Sequence, residues 1–168
     1  VGAGASGMAF ADALIRHSDA RVALVDRRHG PGGHWLDAYP FVRLHQASSF
    51  YGVASTLLGS ESIQRDGPEA GMHERATAAE ICAYFQRVLD EQLLASGQAE
   101  FHPNCEYLGD GLFVSRISGQ RYQAGPNCRI VDARYLAPEI PATTEPPFGV
   151  AEGVRVLPVN DLSRLETA

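Results

Sequence analysis

Six residues at the start of the chain have the types and spacing of a phosphate-binding loop. Gly2, Gly4 and Gly7 fall in the order G-x-G-x-x-G. In such a loop the first glycine permits a tight turn, the second lets the backbone approach a pyrophosphate, and the third lets the next helix pack against a strand. The N–H groups at the start of that helix bind the phosphates. Gly2, Gly4, Ala5, Ser6 and Gly7 are therefore predicted to bind a dinucleotide.

An acidic residue lies at the position where such a fold binds the adenosine of its cofactor. Residues 6–18 carry apolar side chains at helical spacing and residues 21–25 form a short apolar run, which predicts a helix followed by a buried strand. Asp26 ends that strand, 19 residues after Gly7. A carboxylate there accepts hydrogen bonds from ribose hydroxyls and repels a 2′-phosphate. Asp26 is therefore a predicted cofactor-binding residue, and an ordinary solvated acid at a strand end is the alternative.

The order of elements predicts an α/β fold with a parallel sheet. A capping box over residues 77–80 begins a second amphipathic helix, which Gly97 is placed to end. Residues 100–106 are then expected to form a strand. Strand, helix, strand, long loop, helix, strand is the order of parallel strands joined by crossover helices. Tyr84 lies on the apolar stripe of the second helix and is expected to pack in the core.

Short runs joined by tight turns follow and predict an antiparallel meander. They cover residues 112–117, 121–124 and 129–132. Four prolines within residues 138–147 indicate a linker, and residues 154–159 are a candidate further strand. The predicted fold class is a Rossmann-like parallel sheet with crossover helices and an antiparallel β-meander.

Both ends of the chain are expected to be cut. Only Val1 precedes the first glycine, where a whole strand is expected, and there is no initiator Met. Residues 160–168 stop without a closing element. We therefore expect a fold truncated at both ends, with a dinucleotide-binding domain over residues 1–137 and a Pro-rich linker segment over residues 138–168.

The composition argues against several classes of function. The net charge is −6 and the 14 basic residues are spread thinly, so neither a nucleic-acid surface nor a polybasic membrane patch is expected. No run approaches the roughly 18 apolar residues of a membrane span. The three cysteines and six histidines lack the spacing of a disulfide framework or a metal site. We expect a cytoplasmic protein that acts on a small molecule and holds no metal.

A second glycine pair follows Asp26. Gly32 and Gly33 are followed by His34 and Trp35, which gives the pattern G-G-x-W. This pattern resembles the flavoproteins with two dinucleotide-binding domains, and within them the flavin-containing monooxygenase-like group. The resemblance covers nearly the whole chain and implies that Gly33, His34 and Trp35 lie near the pyrophosphate and flavin of FAD. The alternative for Trp35 is a core anchor of its loop.

The resemblance also implies that FAD and NAD(P)H are bound by different domains. Residues 1–137 would bind FAD, and the meander would be the insertion found in such FAD domains. NAD(P)H would be the hydride donor, bound by a further domain that residues 138–168 lead towards. The chain by itself is therefore expected to bind FAD without turning over.

Further candidate residues lie in and around the long irregular loop after the G-G-x-W pattern. Arg43, His45 and Gln46 are predicted to lie near the isoalloxazine, where hydrogen-bond donors tune its electron affinity. Solvent-facing loop residues are the alternative for all three. Arg27 is placed to lie over the adenine by a cation–π contact. The resemblance implies that the backbone at Cys105 contacts the adenine.

The chain departs from the family pattern in two places. It reads Val131-Asp132-Ala133-Arg134 where these families carry A-T-G, and no His follows Phe148 in the F-x-G pattern of the monooxygenases. The leading hypothesis is the FAD-binding portion of an NAD(P)H-dependent flavin oxidoreductase, monooxygenase-like or with another electron acceptor. The alternatives are an NAD-dependent dehydrogenase domain and a non-catalytic dinucleotide-sensing module.

Overall fold

A parallel pair of strands lies at the centre of the fold. The computed structural model describes residues 1–134 and 144–164. Strand β1 (Val22–Val25) pairs in parallel with β4 (Ala99–His102). The connection between them contains helix α2 (Ala78–Val88), as a crossover between parallel neighbours requires. The predicted α/β fold with a parallel sheet is confirmed.

Helix α2 begins at the predicted capping box. The Thr77 side chain accepts a hydrogen bond from the Glu80 backbone N–H, and the Glu80 carboxylate accepts one from the Thr77 backbone N–H. Two of the free N–H groups at the helix start are thereby satisfied. The helix continues as a π-helical turn over Leu89–Leu93 and a 3-10 turn over Leu94–Ser96. It ends at Gly97, whose φ of +72° is left-handed, as predicted for a C-terminal cap.

Both helices bury their apolar faces in one cluster. Helix α1 (Ala5–His17) contributes Met8, and α2 contributes Ile81 and Phe85, all with no exposed surface. Full burial of an apolar side chain of this size stabilises the fold by about 1.5–3 kcal/mol. The predicted helices are confirmed, and Tyr84 packs in the core as predicted.

The long irregular segment between β1 and α2 contains a small hairpin. Strands β2 (Gly52–Val53) and β3 (Thr56–Leu57) pair antiparallel, and a 3-10 turn over Ser48–Phe50 precedes them. An isolated bridge joins Arg43 to Thr77. The segment therefore contains short elements of secondary structure, which the pattern of hydrophobic residues did not predict.

The meander forms one strand earlier than predicted. It consists of β5 (Cys105–Gly109), β6 (Leu112–Ser115) and β7 (Arg121–Gln123), paired antiparallel. The parallel strand predicted over residues 100–106 is present as β4, but it ends at His102, and Cys105 already belongs to β5. Pro103 has no N–H to donate, and Asn104 has a φ of +52°, so the chain turns between the two strands.

The last strand predicted for the meander, over residues 129–132, is also wrong, because this segment pairs with the start of the chain. The Val1 ammonium donates a hydrogen bond to the Val131 carbonyl oxygen over 2.6 Å. On the other side, the Gly2 N–H donates to the Val25 carbonyl oxygen over 2.8 Å. The start of the chain therefore lies between β1 and the segment at Val131.

The residues that follow contain little regular structure. Residues 144–158 include no helix or strand, so the strand predicted over 154–159 is wrong, and a 3-10 helix occupies Val159–Arg164. The predicted domain boundary at 137 and the prolines at 138 and 141 lie outside the described residues. Among the helices that the structure describes, none is long and apolar enough to cross a membrane.

Candidate functional site

The glycine motif forms a tight turn between the Val25 end of β1 and helix α1. Gly2 has a φ of +95°, and its N–H donates to the Val25 carbonyl oxygen. Gly4 is the N-cap of α1, and its carbonyl oxygen accepts the first helical hydrogen bond from the Met8 N–H over 2.9 Å. The predicted turn, with the helix starting directly behind it, is present.

Protein packing requires glycine at one position of this turn and not at another. A Cβ at Gly7 would lie 1.8 Å from the Gly2 carbonyl oxygen, so α1 can pack on the turn only if residue 7 has no side chain. A Cβ at Gly4 would lie 3.5 Å from Gly33 Cα, an ordinary contact, and the φ of Gly4 is −77°. Packing of the protein alone therefore does not require glycine at position 4.

The N-terminus of α1 can accept an anion. The helix has 13 residues, its first turn contains no acid, and no side chain in the described part of the chain caps it. Ala5 is half-buried and Ser6 is exposed, so the first turn is open to solvent. Unsatisfied N–H groups and the helix dipole both favour negative charge at this end. Gly4, Ala5 and Ser6 lie at this end of the helix, and phosphate binding by them stays a prediction.

Asp26 holds the turn against the end of β1. The residue is buried, with 6% of its surface exposed. One carboxylate oxygen accepts a hydrogen bond from the Ala3 N–H over 2.7 Å and the other accepts one from the Arg28 N–H over 2.8 Å. A carboxylate has about four acceptor sites, so two remain for another donor. Asp26 thus has a structural role in addition to its predicted one.

The second glycine pair lies directly against the first motif. The Gly32 N–H donates to the Ala3 carbonyl oxygen over 2.9 Å. Gly33 has a φ of +60°, and a Cβ on it would lie 2.9 Å from Gly4 Cα. The two glycine-rich loops therefore touch backbone to backbone, so Gly33 and the residues after it are brought to the predicted phosphate site.

A 3-10 turn over Gly33–Asp37 presents two ring side chains from this loop. The His34 side chain is exposed, and its ring lies 4.9 Å from the Trp35 ring. Although the residue is exposed overall, partial desolvation of its ring, followed by the charge of Arg28, lowers the pKa of His34 from its usual value. A neutral imidazole is therefore favoured beside Trp35 at neutral pH.

Trp35 is half-buried and packs on the core cluster, so its loop is anchored as the alternative interpretation expected. Its indole Nε1–H donates a hydrogen bond to the Tyr51 hydroxyl over 2.7 Å. Burial raises the pKa of Tyr51, which keeps the phenol protonated. The sequence-based reasoning did not single out Tyr51. The only signal for it was the aromatic content of the irregular segment.

The three predicted residues of the irregular segment are all exposed. Arg43 is exposed and donates to the Arg75 carbonyl oxygen over 3.2 Å. Gln46 is exposed and makes a long contact of 3.4 Å to the Phe50 carbonyl oxygen, and His45 is exposed. Among the residues that the structure describes, no hydrogen bond joins these three side chains to the glycine loop. Their place near a flavin stays a prediction.

The two residues predicted to contact an adenine both lie next to Asp26. Arg27 is exposed, and its carbonyl oxygen accepts a hydrogen bond from the Arg116 side chain over 3.3 Å. Cys105 is buried, and its backbone N–H donates to the Asp26 carbonyl oxygen over 2.8 Å. The Cys105 backbone is therefore close to the predicted ribose acid, although its N–H already has a partner.

The segment that departs from the family pattern also borders the site. A Cβ at Gly2 would lie 3.1 Å from the Ala133 carbonyl group, and one at Gly7 would lie 3.6 Å from Ala133 Cβ. Asp132 and Arg134 beside it form an ion pair of 2.6 Å. This segment therefore covers the glycine turn, a placement that the local sequence did not reveal.

One cavity in the described part of the chain is separate from these loops. It has a volume of about 300 Å³ and includes Leu58, Glu74 and Arg87 in its wall. The candidate site is instead an open surface at the start of α1. In the described part of the chain, no group of three or more His, Cys, Asp or Glu side chains is placed to hold a metal ion.

Comparisons with known proteins support the interpretation of the glycine loop. Residues 1–52 match the family described as NAD(P)-binding Rossmann-like domain. Proteins of Mycobacterium bovis and of two Mycobacterium tuberculosis strains, all named as uncharacterized, are each 50% identical over 167 residues, or 99% of this chain. The chain spans 31% of the length of each of these relatives.

A solved structure of a mutant flavin monooxygenase from Stenotrophomonas maltophilia is also similar to this chain. It matches at 19% identity with a TM-score of 0.48, over 73% of this chain and 33% of the other. The family match supports a Rossmann-like fold and dinucleotide binding for residues 1–52.

Proposed function

We propose that this chain is the FAD-binding portion of an NAD(P)H-dependent flavin oxidoreductase. The contact between the two glycine loops supports this proposal most strongly. Gly33 lies against Gly4, so the G-G-x-W loop and the start of α1 border one open surface. A dinucleotide lying on that surface would meet both loops, and a simple NAD site does not need the second glycine pair.

The residues present fit a pyrophosphate. Residue 4 is a glycine although a Cβ there would make only an ordinary protein contact of 3.5 Å. A close approach of a ligand to the backbone explains this glycine, because a methyl group would occupy the space that the ligand needs. The uncapped N–H groups of Ala5 and Ser6 would bind the phosphates, and Asp26 would use its remaining acceptor sites for the ribose.

FAD, when bound, supplies a ring system that takes up a hydride and passes electrons on to an acceptor. The role of this chain's own residues would be to bind FAD and to orient its ring system. Trp35, on the loop that touches Gly4, would line the site on the ring side. For the whole protein, we propose that NAD(P)H donates the hydride and that O₂ or another acceptor receives the electrons.

A simple NAD(P)-binding domain is the second candidate, favoured by the description of the family that matches residues 1–52. Both candidates use the glycine turn and Asp26, so the identity of the bound dinucleotide separates them. We expect the purified protein to absorb near ~450 nm, as bound flavin does. We expect FAD, added to protein stripped of ligand, to bind more tightly than NAD.

The matched variants are Gly4→Ala and Gly125→Ala, since both glycines have an ordinary φ and neither new Cβ would clash. Gly4→Ala should weaken FAD binding by at least about tenfold, a loss of about 1.4 kcal/mol, whereas Gly125→Ala should bind FAD as the wild type does. Isothermal titration calorimetry measures the FAD affinity of both variants. Protein that binds NAD but ignores FAD would overturn the proposal in favour of the second candidate, and equal FAD affinity in all three proteins would show that the turn does not bind the pyrophosphate.

A further inference from the structure

The only tryptophan of the chain lies beside the contact between the two glycine loops. Trp35 follows Gly33 by two residues, and Gly33 lies against Gly4. The indole Nε1–H donates to the Tyr51 hydroxyl over 2.7 Å, and the two rings meet edge to face with centroids 6.0 Å apart. A half-buried indole N–H without an acceptor is costly, so this bond favours one orientation of the ring.

Tyr51 is itself held by the core. Its ring meets the Phe85 ring edge to face, with centroids 6.1 Å apart. Phe85 has no exposed surface and lies in α2, where the Tyr84 ring packs against it at 5.1 Å. The position of the Tyr51 hydroxyl is therefore determined by a core helix rather than by a free loop.

The hairpin that follows Tyr51 is tied to α2. The Tyr84 hydroxyl accepts a hydrogen bond from the Val53 N–H over 2.8 Å and donates one to the Thr56 carbonyl oxygen over 2.6 Å. Gly52 has a φ of +121°, and a Cβ on it would lie 2.4 Å from the Tyr84 hydroxyl. Any side chain at position 52 would therefore push the hairpin off α2.

A buried acid ties the same hairpin to α1. Asp12 has no exposed surface, and its carboxylate accepts hydrogen bonds from the Ser55 hydroxyl over 2.5 Å and from the Ser55 N–H over 3.2 Å. Both helices thus fix the hairpin, and the hairpin fixes the chain next to Tyr51. An acceptor held in this way is pre-organised, because its position does not depend on the indole that it binds.

We propose that Tyr51 is a positioning residue that holds the Trp35 indole in place to line the dinucleotide site. The inference rests on the proposed function, in which Trp35 borders the bound cofactor. Without the Tyr51 hydroxyl, the indole N–H loses its acceptor and the ring is free to turn towards solvent. The flat surface that Trp35 offers to an aromatic ring system is then no longer pre-organised.

The test uses Tyr51→Phe, which removes one oxygen atom and keeps the ring that packs on Phe85. Tyr122→Phe is the matched control, because Tyr122 is half-buried and its ring stacks on Phe113 at 4.9 Å in the meander, away from Trp35. Trp35→Phe and the double variant complete a mutant cycle. Circular dichroism checks that every variant is folded.

The first readout needs no ligand. Ultraviolet resonance Raman of the single tryptophan reports hydrogen bonding of the indole N–H, and fluorescence anisotropy decay reports its motion on the nanosecond scale. In Tyr51→Phe we expect the Raman signature of a free N–H and a faster anisotropy decay. Tyr122→Phe should match the wild type in both. An unchanged indole signal in Tyr51→Phe overturns the proposal.

The second readout is FAD affinity. Loss of one hydrogen bond predicts a Kd about 3- to 10-fold weaker in Tyr51→Phe. If Tyr51 acts through Trp35, the double variant should bind no more weakly than Trp35→Phe alone. Additive losses, or unchanged affinity in Tyr51→Phe, would overturn the positioning role. Wild-type protein that binds no FAD would instead overturn the proposed function, and the indole readout would still decide whether Tyr51 holds Trp35.

Discussion

A methyl group at Gly7 would lie 1.8 Å from the Gly2 carbonyl oxygen, whereas one at Gly4 would make an ordinary contact 3.5 Å from Gly33 Cα. At the scale of single residues, glycines of the same motif therefore serve different purposes. Gly7 allows α1 to pack on the turn, whereas we propose that Gly4 leaves room for a ligand. Asp26 has an observed structural role, because its carboxylate holds the turn through the Ala3 N–H, and its ribose-binding role is our proposal.

A prediction at this scale concerns Asp132 beside the glycine turn. Hydrogen bonds from the Arg134 side chain and backbone hold the pKa of Asp132 at about 2. Since this folded-state pKa lies below the usual value of about 3.9, ionised Asp132 stabilises the fold above pH ~4, and this contribution is lost as the pH falls through the folded-state pKa. Asp132→Asn should therefore lower the Tm at pH 7, with a difference from wild type that narrows below pH ~4.

Thermal unfolding followed by circular dichroism between pH 7 and pH 3 measures this difference. Asp66→Asn is the control, because Asp66 is an exposed acid in a bend. A Tm difference for Asp132→Asn that stays the same at every pH would contradict the assignment.

At the scale of elements, α2 connects the core to the candidate site. Its buried face includes Phe85 and Tyr84, and these two rings hold Tyr51 and the β2–β3 hairpin. The start of the helix is defined by the reciprocal hydrogen bonds of Thr77 and Glu80. Hydrogen bonds from Thr77, first from its backbone N–H, lower the pKa of Glu80, so the capping box is complete at neutral pH.

The capping box gives the prediction at this scale. Thr77→Ala should lower the free energy of unfolding by about 1 kcal/mol, because the Glu80 N–H loses its acceptor at the start of the helix. Thr77→Ser keeps the hydroxyl and should stay near the wild type. Urea denaturation measures both variants. Equal stability of Thr77→Ala and Thr77→Ser would show that the cap does not stabilise α2.

At the scale of the whole molecule, contacts between distant parts of the chain assemble the site. Val1 pairs with Val131, Asp12 on α1 holds Ser55 in the hairpin, and Tyr51 holds Trp35. Each of these contacts joins segments with no shared local pattern. Together they bring the glycine turn, the G-G-x-W loop and the hairpin into one arrangement.

The buried Asp12 carboxylate gives the prediction at this scale. Asp12→Ala leaves the Ser55 N–H without its acceptor inside the fold and should lower the free energy of unfolding by about 2 kcal/mol. Asp19→Ala, at an exposed position after α1, is the control and should change stability little. Urea denaturation of both variants tests this. A loss no larger than that of the control would mean that the tie between α1 and the hairpin does not stabilise the molecule.

Local patterns in the sequence were enough to predict the glycine turn, both helices, β1 and the capping box. These features depend on residues a few positions apart, such as Thr77 with Glu80 or Gly2 with Gly7, so the pattern and the contact coincide. The turn at Asn104 was missed because the flanking strands read as one continuous run.

The sequence by itself therefore determined the α/β class and the glycine turn, because amphipathic periods and glycine spacing act over one or two turns of chain. Only the tertiary structure decided that Gly4 meets Gly33, that Tyr51 holds Trp35, and that the segment at Val131 pairs with Val1. These contacts form between residues 16 or more positions apart. A hydrogen bond or a close backbone approach over such distances depends on how the whole core packs, and no local pattern encodes that packing.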